Sequence, residues 1–213
     1  ASLDNLPESI IYVDWGYDGP YKFEKGSKML HDAKVPFMNA PGTCTWCSWL
    51  GRLYDWIDNI GSAVRNAIKY GGEGVLLTDW GDFGHIQQLV VSLPPLVYSA
   101  MLCYRNESGV LKNVREFLNK FVFNDRQNLF ADVVMDAGSF YQFEKNFRGN
   151  GTITFATFYY IYCAFQKDNP IEAYEYLMRN SLYDKEHYVI LNDFLKMKKK
   201  QVNMCNVDDI WKN

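Results

Sequence analysis

The chain has 213 residues, 48% hydrophobic and 22% charged, enough to bury a substantial core as one large domain or two small ones. The net charge is −3 and neither half is a basic surface: residues 1–104 carry 7 basic and 11 acidic groups and residues 105–213 carry 15 and 14, so a nucleic-acid partner has no electrostatic support. No apolar run reaches the roughly 18 residues that a membrane-spanning helix needs.

The chain opens on Ala1-Ser2-Leu3-Asp4, which is neither a signal nor a transit peptide, and an apolar strand follows so soon that the start reads as a cut end. Ile10-Ile11-Tyr12-Val13 is a short continuous apolar run, as in a strand covered on both faces. A helix is expected over residues 25–33 and a second strand over 35–39, broken by Pro41-Gly42-Thr43. Leu53, Trp56, Ile57, Ile60, Val64 and Ile68 recur at helical spacing and predict a long amphipathic helix over 50–70, ended by Gly71-Gly72. A third strand follows over 74–78, then a helix from about His85 that breaks near Pro94-Pro95. Strand and helix in alternation read as parallel βα units, either part of an eight-stranded barrel or a small open sheet.

After Arg105 only helical periods are visible, over residues 110–122, 126–147, 154–166, 170–179 and 185–199. The expected fold class is therefore α/β followed by all-α, with βα units in 1–104 and a helical domain in 105–213. The basic run Lys196-Met197-Lys198-Lys199-Lys200 closes the last helical period, where it complements a helix C-terminus. Five cysteines, an odd number, do not make a disulfide framework and favour reduced thiols in the cytoplasm.

In parallel α/β proteins the working residues gather where the C-terminal ends of the strands emerge. Here the three ends read Asp14-Trp15-Gly16-Tyr17-Asp18, Pro41-Gly42-Thr43-Cys44-Thr45-Trp46 and Asp79-Trp80-Gly81-Asp82. Each presents a tryptophan, and two present carboxylates beside it. That combination suits a sugar, whose C–H face stacks on an indole and whose hydroxyls bind carboxylates. Trp15, Trp46, Asp79, Trp80 and Asp82 are the candidate substrate-binding residues; each tryptophan taken alone also fits a plug at the end of the sheet.

Other chemistries compete. Gly71-Gly72-Glu73-Gly74 precedes its strand, whereas a phosphate-cradling loop follows one. Cys44-Thr45-Trp46-Cys47 is a CxxC between strand and helix, as in a thioredoxin-like redox protein. His31, His85 and His187 lack zinc-ligand spacing, and no metal or cofactor is expected. Asp82 and His85, one turn apart, either hydrogen bond or form an N-terminal cap with an ordinary histidine. The sequons at Asn106 and Asn150 matter only in a eukaryotic secretory setting.

The segments "IIYVDWGY", "VPFMNAPGTCTWCSWLGR" and "GGEGVLLTDWGDFGH" resemble the last three βα units of the catalytic barrel in glycoside hydrolase family 20, the β-N-acetylhexosaminidases, in the bacterial branch that appends a helical domain. The resemblance covers residues 6–104 by motif and the remainder by helical character. It implies a (β/α)8, TIM-type barrel that releases terminal N-acetylhexosamine from glycans by substrate-assisted retention, the acetamido oxygen acting as nucleophile. It implies that Trp80 is the eighth-strand tryptophan that stacks on the sugar. Asp82 stands where the family has a glutamate for the outer hydroxyls, and Trp15 in the sixth-strand wall. The family's seventh-strand tyrosine and aspartate have no counterpart here, which leaves Trp46 as a wall candidate only. The Asp-Glu pair of the fourth strand is absent: no such dipeptide occurs in the 213 residues. No catalytic residue is therefore assigned, and the expectation is the C-terminal part of a glycosidase, inactive alone, whose partners are a glycan and either the remaining barrel strands or a second copy at its open edges. A non-catalytic sugar-binding module is the alternative.

Overall fold

The structure, a computed structural model, describes residues 9–105, 109–144 and 148–166. The helices expected over 170–179 and 185–199, the basic run, His187 and the sequon at Asn106 lie outside them. Residues 1–155 form one compact unit and residues 156–213 a second.

Three short parallel strands, β1 (Tyr12–Trp15), β2 (Phe37–Ala40) and β3 (Gly74–Val75), form a sheet in the order β1-β2-β3. Tyr12 is in register with Phe37 and Met38 with Gly74, and a further bridge joins Gly42 to Thr78. The first strand begins two residues later than its apolar run: Ile10 and Ile11 precede the pairing with β2, which starts at Tyr12.

Helix α1 (Glu24–Asp32) connects β1 to β2 and α2 (Leu53–Tyr70) connects β2 to β3. Both cover the same face of the sheet. Asn39 on β2 shows this directly: its buried amide donates to Ser27 Oγ on α1 (3.0 Å) and to the Ala63 carbonyl on α2 (2.9 Å). Phe37 and Asn39 therefore point to the helices, as does Asp14, which receives the Tyr21 hydroxyl at 2.8 Å. Strand alternation puts Val13, Trp15, Met38 and Leu76 on the opposite face, where Val13, Trp15 and Leu76 are exposed. A parallel sheet is ordinarily buried on both sides; among the described residues this one is covered on one.

Helix α2 is the spine of the unit. Leu53, Trp56, Ile60, Val64 and Ala67 are buried at the spacing of one helical face. Its first N–H donates to the Gly138 carbonyl at 2.8 Å instead of to a side-chain cap, and Gly71 ends it at φ 68°, where a side chain would be strained. A four-residue turn, α3 (Asp82–His85), follows β3. Pro94 and Pro95 do not break the next helix. They lie in the first turn of α4 (Leu93–Tyr104), where a missing N–H costs nothing.

Helix α5 (Val110–Phe117) passes into a π turn over Leu118–Val122. The single helix expected over 126–147 is instead α6 (Phe130–Ala137) and a 3-10 turn over Phe140–Phe143. Asp125 explains the late start: its carboxylate accepts the N–H groups of Gln127, Leu129 and Phe130, which fixes a loop before α6. Helix α7 (Ile153–Phe165) begins where Glu144 accepts the N–H groups of Ile153 and Thr154, both at 2.8 Å.

Candidate functional site

The loops that leave the three strands meet at one end of the sheet, and Tyr17 stands at their centre. Its ring lies 5.6 Å from Trp15, 5.1 Å from Trp46 and 6.1 Å from Trp80, centroid to centroid. The Trp80 indole N–H donates to the Tyr17 hydroxyl at 2.8 Å and also reaches Thr78 Oγ1 at 3.2 Å. Gly42 makes the approach possible. A Cβ there would fall 2.4 Å from the Trp46 ring and 2.8 Å from the Tyr17 ring.

The three tryptophans are thus gathered, but they are not alike. Trp15 is 65% exposed and Trp80 46% exposed, so both offer indole surface to solvent. Trp46 is 1% exposed. Its N–H donates to Asn150 Oδ1 at 3.2 Å, and the Arg52 guanidinium lies 5.4 Å from the ring centroid. Trp46 is a plug over a buried cation and cannot also be the wall of an open pocket.

Arg52, wholly buried at the start of α2, pairs through Nη1 with Asp18 and with Asp55 (2.9 Å to the latter). Among the described residues its Nε and Nη2 meet no hydrogen-bond acceptor, and the Trp46 ring takes part of that charge. Asn59, two turns further along α2, donates to the carbonyls of Gly16 (3.1 Å) and Asp18 (3.0 Å) and accepts the Gly42 N–H (3.0 Å). Two buried side chains of one helix therefore weld the β1 loop to the β2 loop.

The third loop is tied on by Asp79. Its Oδ1 receives the hydroxyls of Thr43 and Thr45 (3.0 Å for the latter). Both bonds fall on one oxygen of an exposed residue, so Oδ2 keeps its lone pairs for solvent or a ligand. Asp82 is half-buried, and its carboxylate makes no hydrogen bond among the described residues. Of the two readings of Asp82 and His85, neither the hydrogen bond between them nor a side-chain cap forms among the described residues. Phe83, Gly84 and His85 all have φ between 54° and 91°, and this left-handed turn carries the imidazole back against Gly81.

Backbone strain concentrates at this end of the sheet. Asp18 after β1, Cys44 and Cys47 after β2, and Phe83 and His85 after β3 are non-glycine residues with positive φ. Such conformations cost about 1–3 kcal/mol each and gather where function requires them.

The CxxC lies in the same region with the wrong electrostatics for a reactive pair. Both cysteines are buried and free. Burial pushes the Cys44 thiol up to about 12. Burial, followed by the nearby Asp82 charge, pushes Cys47 up to about 11. A redox thiol needs a shift in the other direction.

A separate cavity of about 440 Å³ opens between the β1 loop and the start of α2, lined by Gly19, Asp55, Asp58 and Tyr141 among others and by none of the tryptophans. No cluster of potential metal ligands occurs among the described residues, and no helix there is long and apolar enough to cross a membrane.

Sequence reasoning passed over Tyr17, Thr43, Thr45, Arg52 and Asn59. Tyr17 carried a signal, an aromatic residue two positions after a strand-end tryptophan; the other four are legible only once the loops are seen to touch. Compared with known proteins, the chain matches no family model and no curated protein.

Proposed function

We propose that this end of the sheet binds a saccharide ring, an N-acetylhexosamine of a larger glycan. The observation that carries the reading is the joining of two exposed indoles, Trp15 and Trp80, through one tyrosine, beside a carboxylate with an oxygen to spare. A sugar's C–H face stacks on Trp80 or Trp15, and its hydroxyls donate to Asp79 Oδ2 and to Asp82. The Tyr17 hydroxyl accepts from Trp80, which leaves its own proton for a ligand oxygen.

We further read the three βα units as the last three of a (β/α)8 barrel of the kind found in family 20 hexosaminidases. Sequential strand order, both crossovers on one face, an apolar opposite face and a site at the strands' C-terminal ends all support it. The chain contains no Asp-Glu pair, so in this reading it lines the sugar pocket, and the proton donor for hydrolysis comes from barrel strands outside it. The same absence favours, as a second reading, a sugar-binding module without hydrolysis.

The test is a titration of the whole chain with N-acetylglucosamine and its oligomers, followed by tryptophan fluorescence. Quenching is expected, and Trp80→Ala or Trp15→Ala should weaken binding by roughly 2- to 10-fold, the loss of one aromatic stacking contact. No change in wild-type fluorescence at any sugar concentration would refute the sugar reading in both forms.

A further inference from the structure

The sequence contains a single Asn-Gly dipeptide, Asn150-Gly151, and it lies in the brace behind the indoles. We propose that Asn150 is a site of spontaneous covalent modification, deamidation through a cyclic imide, and that the Trp46 indole restrains it. The reaction needs a main-chain nitrogen able to reach the carbonyl carbon of the preceding side chain. Gly151 has no Cβ to shield its nitrogen, and its N–H donates to no group among the described residues. Asn150 is exposed and its Nδ2 makes no hydrogen bond there, so the leaving group has an open path to solvent.

The Gly151 nitrogen attacks Cγ of Asn150. The N–Cγ bond forms, the Cγ–Nδ2 bond breaks, and ammonia leaves with the proton from the Gly151 nitrogen. Water then opens the five-membered imide at one carbonyl or the other, giving aspartate or isoaspartate. Two contacts couple this chemistry to the site. Asn150 Oδ1 accepts the Trp46 N–H at 3.2 Å, which restricts rotation of the carboxamide, and the Asn150 main-chain N–H donates to Asp18 Oδ2 at 2.7 Å. Either product sets a new carboxylate near Asp18, and isoaspartate also lengthens the main chain by one methylene beside that bond. The pairing of Asp18 with Arg52, and with it the seat of the β1 loop, is then disturbed.

The experiment incubates the intact chain under mildly alkaline conditions and follows the peptide containing Asn150 by mass and by isoaspartate content. A synthetic peptide of residues 148–153 and the variants Trp46→Phe and Asn150→Gln run alongside. Wild type is expected to convert at this position more slowly than the peptide. Trp46→Phe, once shown to be folded by circular dichroism, converts roughly 2- to 10-fold faster than wild type, the equivalent of one ordinary hydrogen bond. Asn150→Gln stays unconverted. Wild type unchanged while the peptide is fully converted would overturn the site, and equal rates in wild type and Trp46→Phe would overturn the restraint. The first comparison needs no variant, so a misfolded Trp46→Phe does not remove the test.

Discussion

Replacing Asn59 by alanine removes three hydrogen bonds at once and reports on the joint between two of the site's loops. Asn59 is wholly buried, and its partners are the Gly16 carbonyl, the Asp18 carbonyl and the Gly42 N–H. A buried polar group stripped of its partner costs about 1–3 kcal/mol. Gly16 and Gly42 are buried, whereas Asp18 is half-buried and water compensates part of its loss. The expected destabilisation is therefore about 3–5 kcal/mol, a large share of the roughly 5–15 kcal/mol that holds a typical domain together. With a urea slope of about 2 kcal/mol per molar, the unfolding midpoint falls by roughly 1.5–2.5 M. Asn66→Ala is the matched control on the same helix, since among the described residues the Asn66 side chain bonds only within α2, to Ser62, and is half-buried. It should cost under about 1 kcal/mol. A midpoint shift for Asn59→Ala no larger than that of Asn66→Ala would show that the two loops do not depend on this side chain.

Arg52→Met leaves Asp18 and Asp55 largely buried without their cation and should cost about 3–5 kcal/mol by urea unfolding; a loss below about 1 kcal/mol would show that water already screens both carboxylates. In the native chain Cys44 and Cys47 should resist a disulfide reagent that titrates the exposed Cys103, and react only on unfolding. Between the ordinary thiol value of 9 and their folded values of about 12 and about 11, the unfolded state holds fewer protons than the folded one. Their contribution to stability is thus complete below that window and declines as pH rises through it, which unfolding midpoints measured across alkaline pH will reveal. Val13→Lys, on the open face of the sheet, should change stability by no more than about 0.5 kcal/mol and reduce self-association in light scattering; a cost above about 1 kcal/mol would show that this face is covered.

The parallel βα order was legible because its signals are local: apolar runs for the strands, a helical stripe from Leu53 to Val64, and Gly71 to end it. Boundaries moved where a contact distant in sequence decided them. Leu53 opens α2 with the Gly138 carbonyl as its partner, and Asp125 holds back the start of α6. The prolines were misread because a proline in a first turn and one that ends a helix look alike until the turn is seen. At the site, the spacing of three strand-end tryptophans predicted that they gather, and they do, around Tyr17. Spacing could not tell the two exposed rings from the sealed one. That difference depends on Arg52, which reaches the Trp46 ring from the following helix, and on Asn150, more than a hundred residues away.

The sealed ring also accounts for the placing of the open ones. A stacking platform is useful only if the indole is already oriented, since fixing a free side chain on binding costs about 0.5–1.5 kcal/mol. Trp80 is oriented by its N–H bond to Tyr17, and the Tyr17 ring rests edge-on against Trp46. Trp46 in turn is held by Arg52 below and Asn150 beside it. The chain of support runs from a buried cation to an exposed indole through two rings, so a substitution at Arg52 or Asn150 should weaken a ligand on Trp80 without touching it. In the proposed reading, the rigidity of the sugar platform is set by the side chains that never meet the sugar.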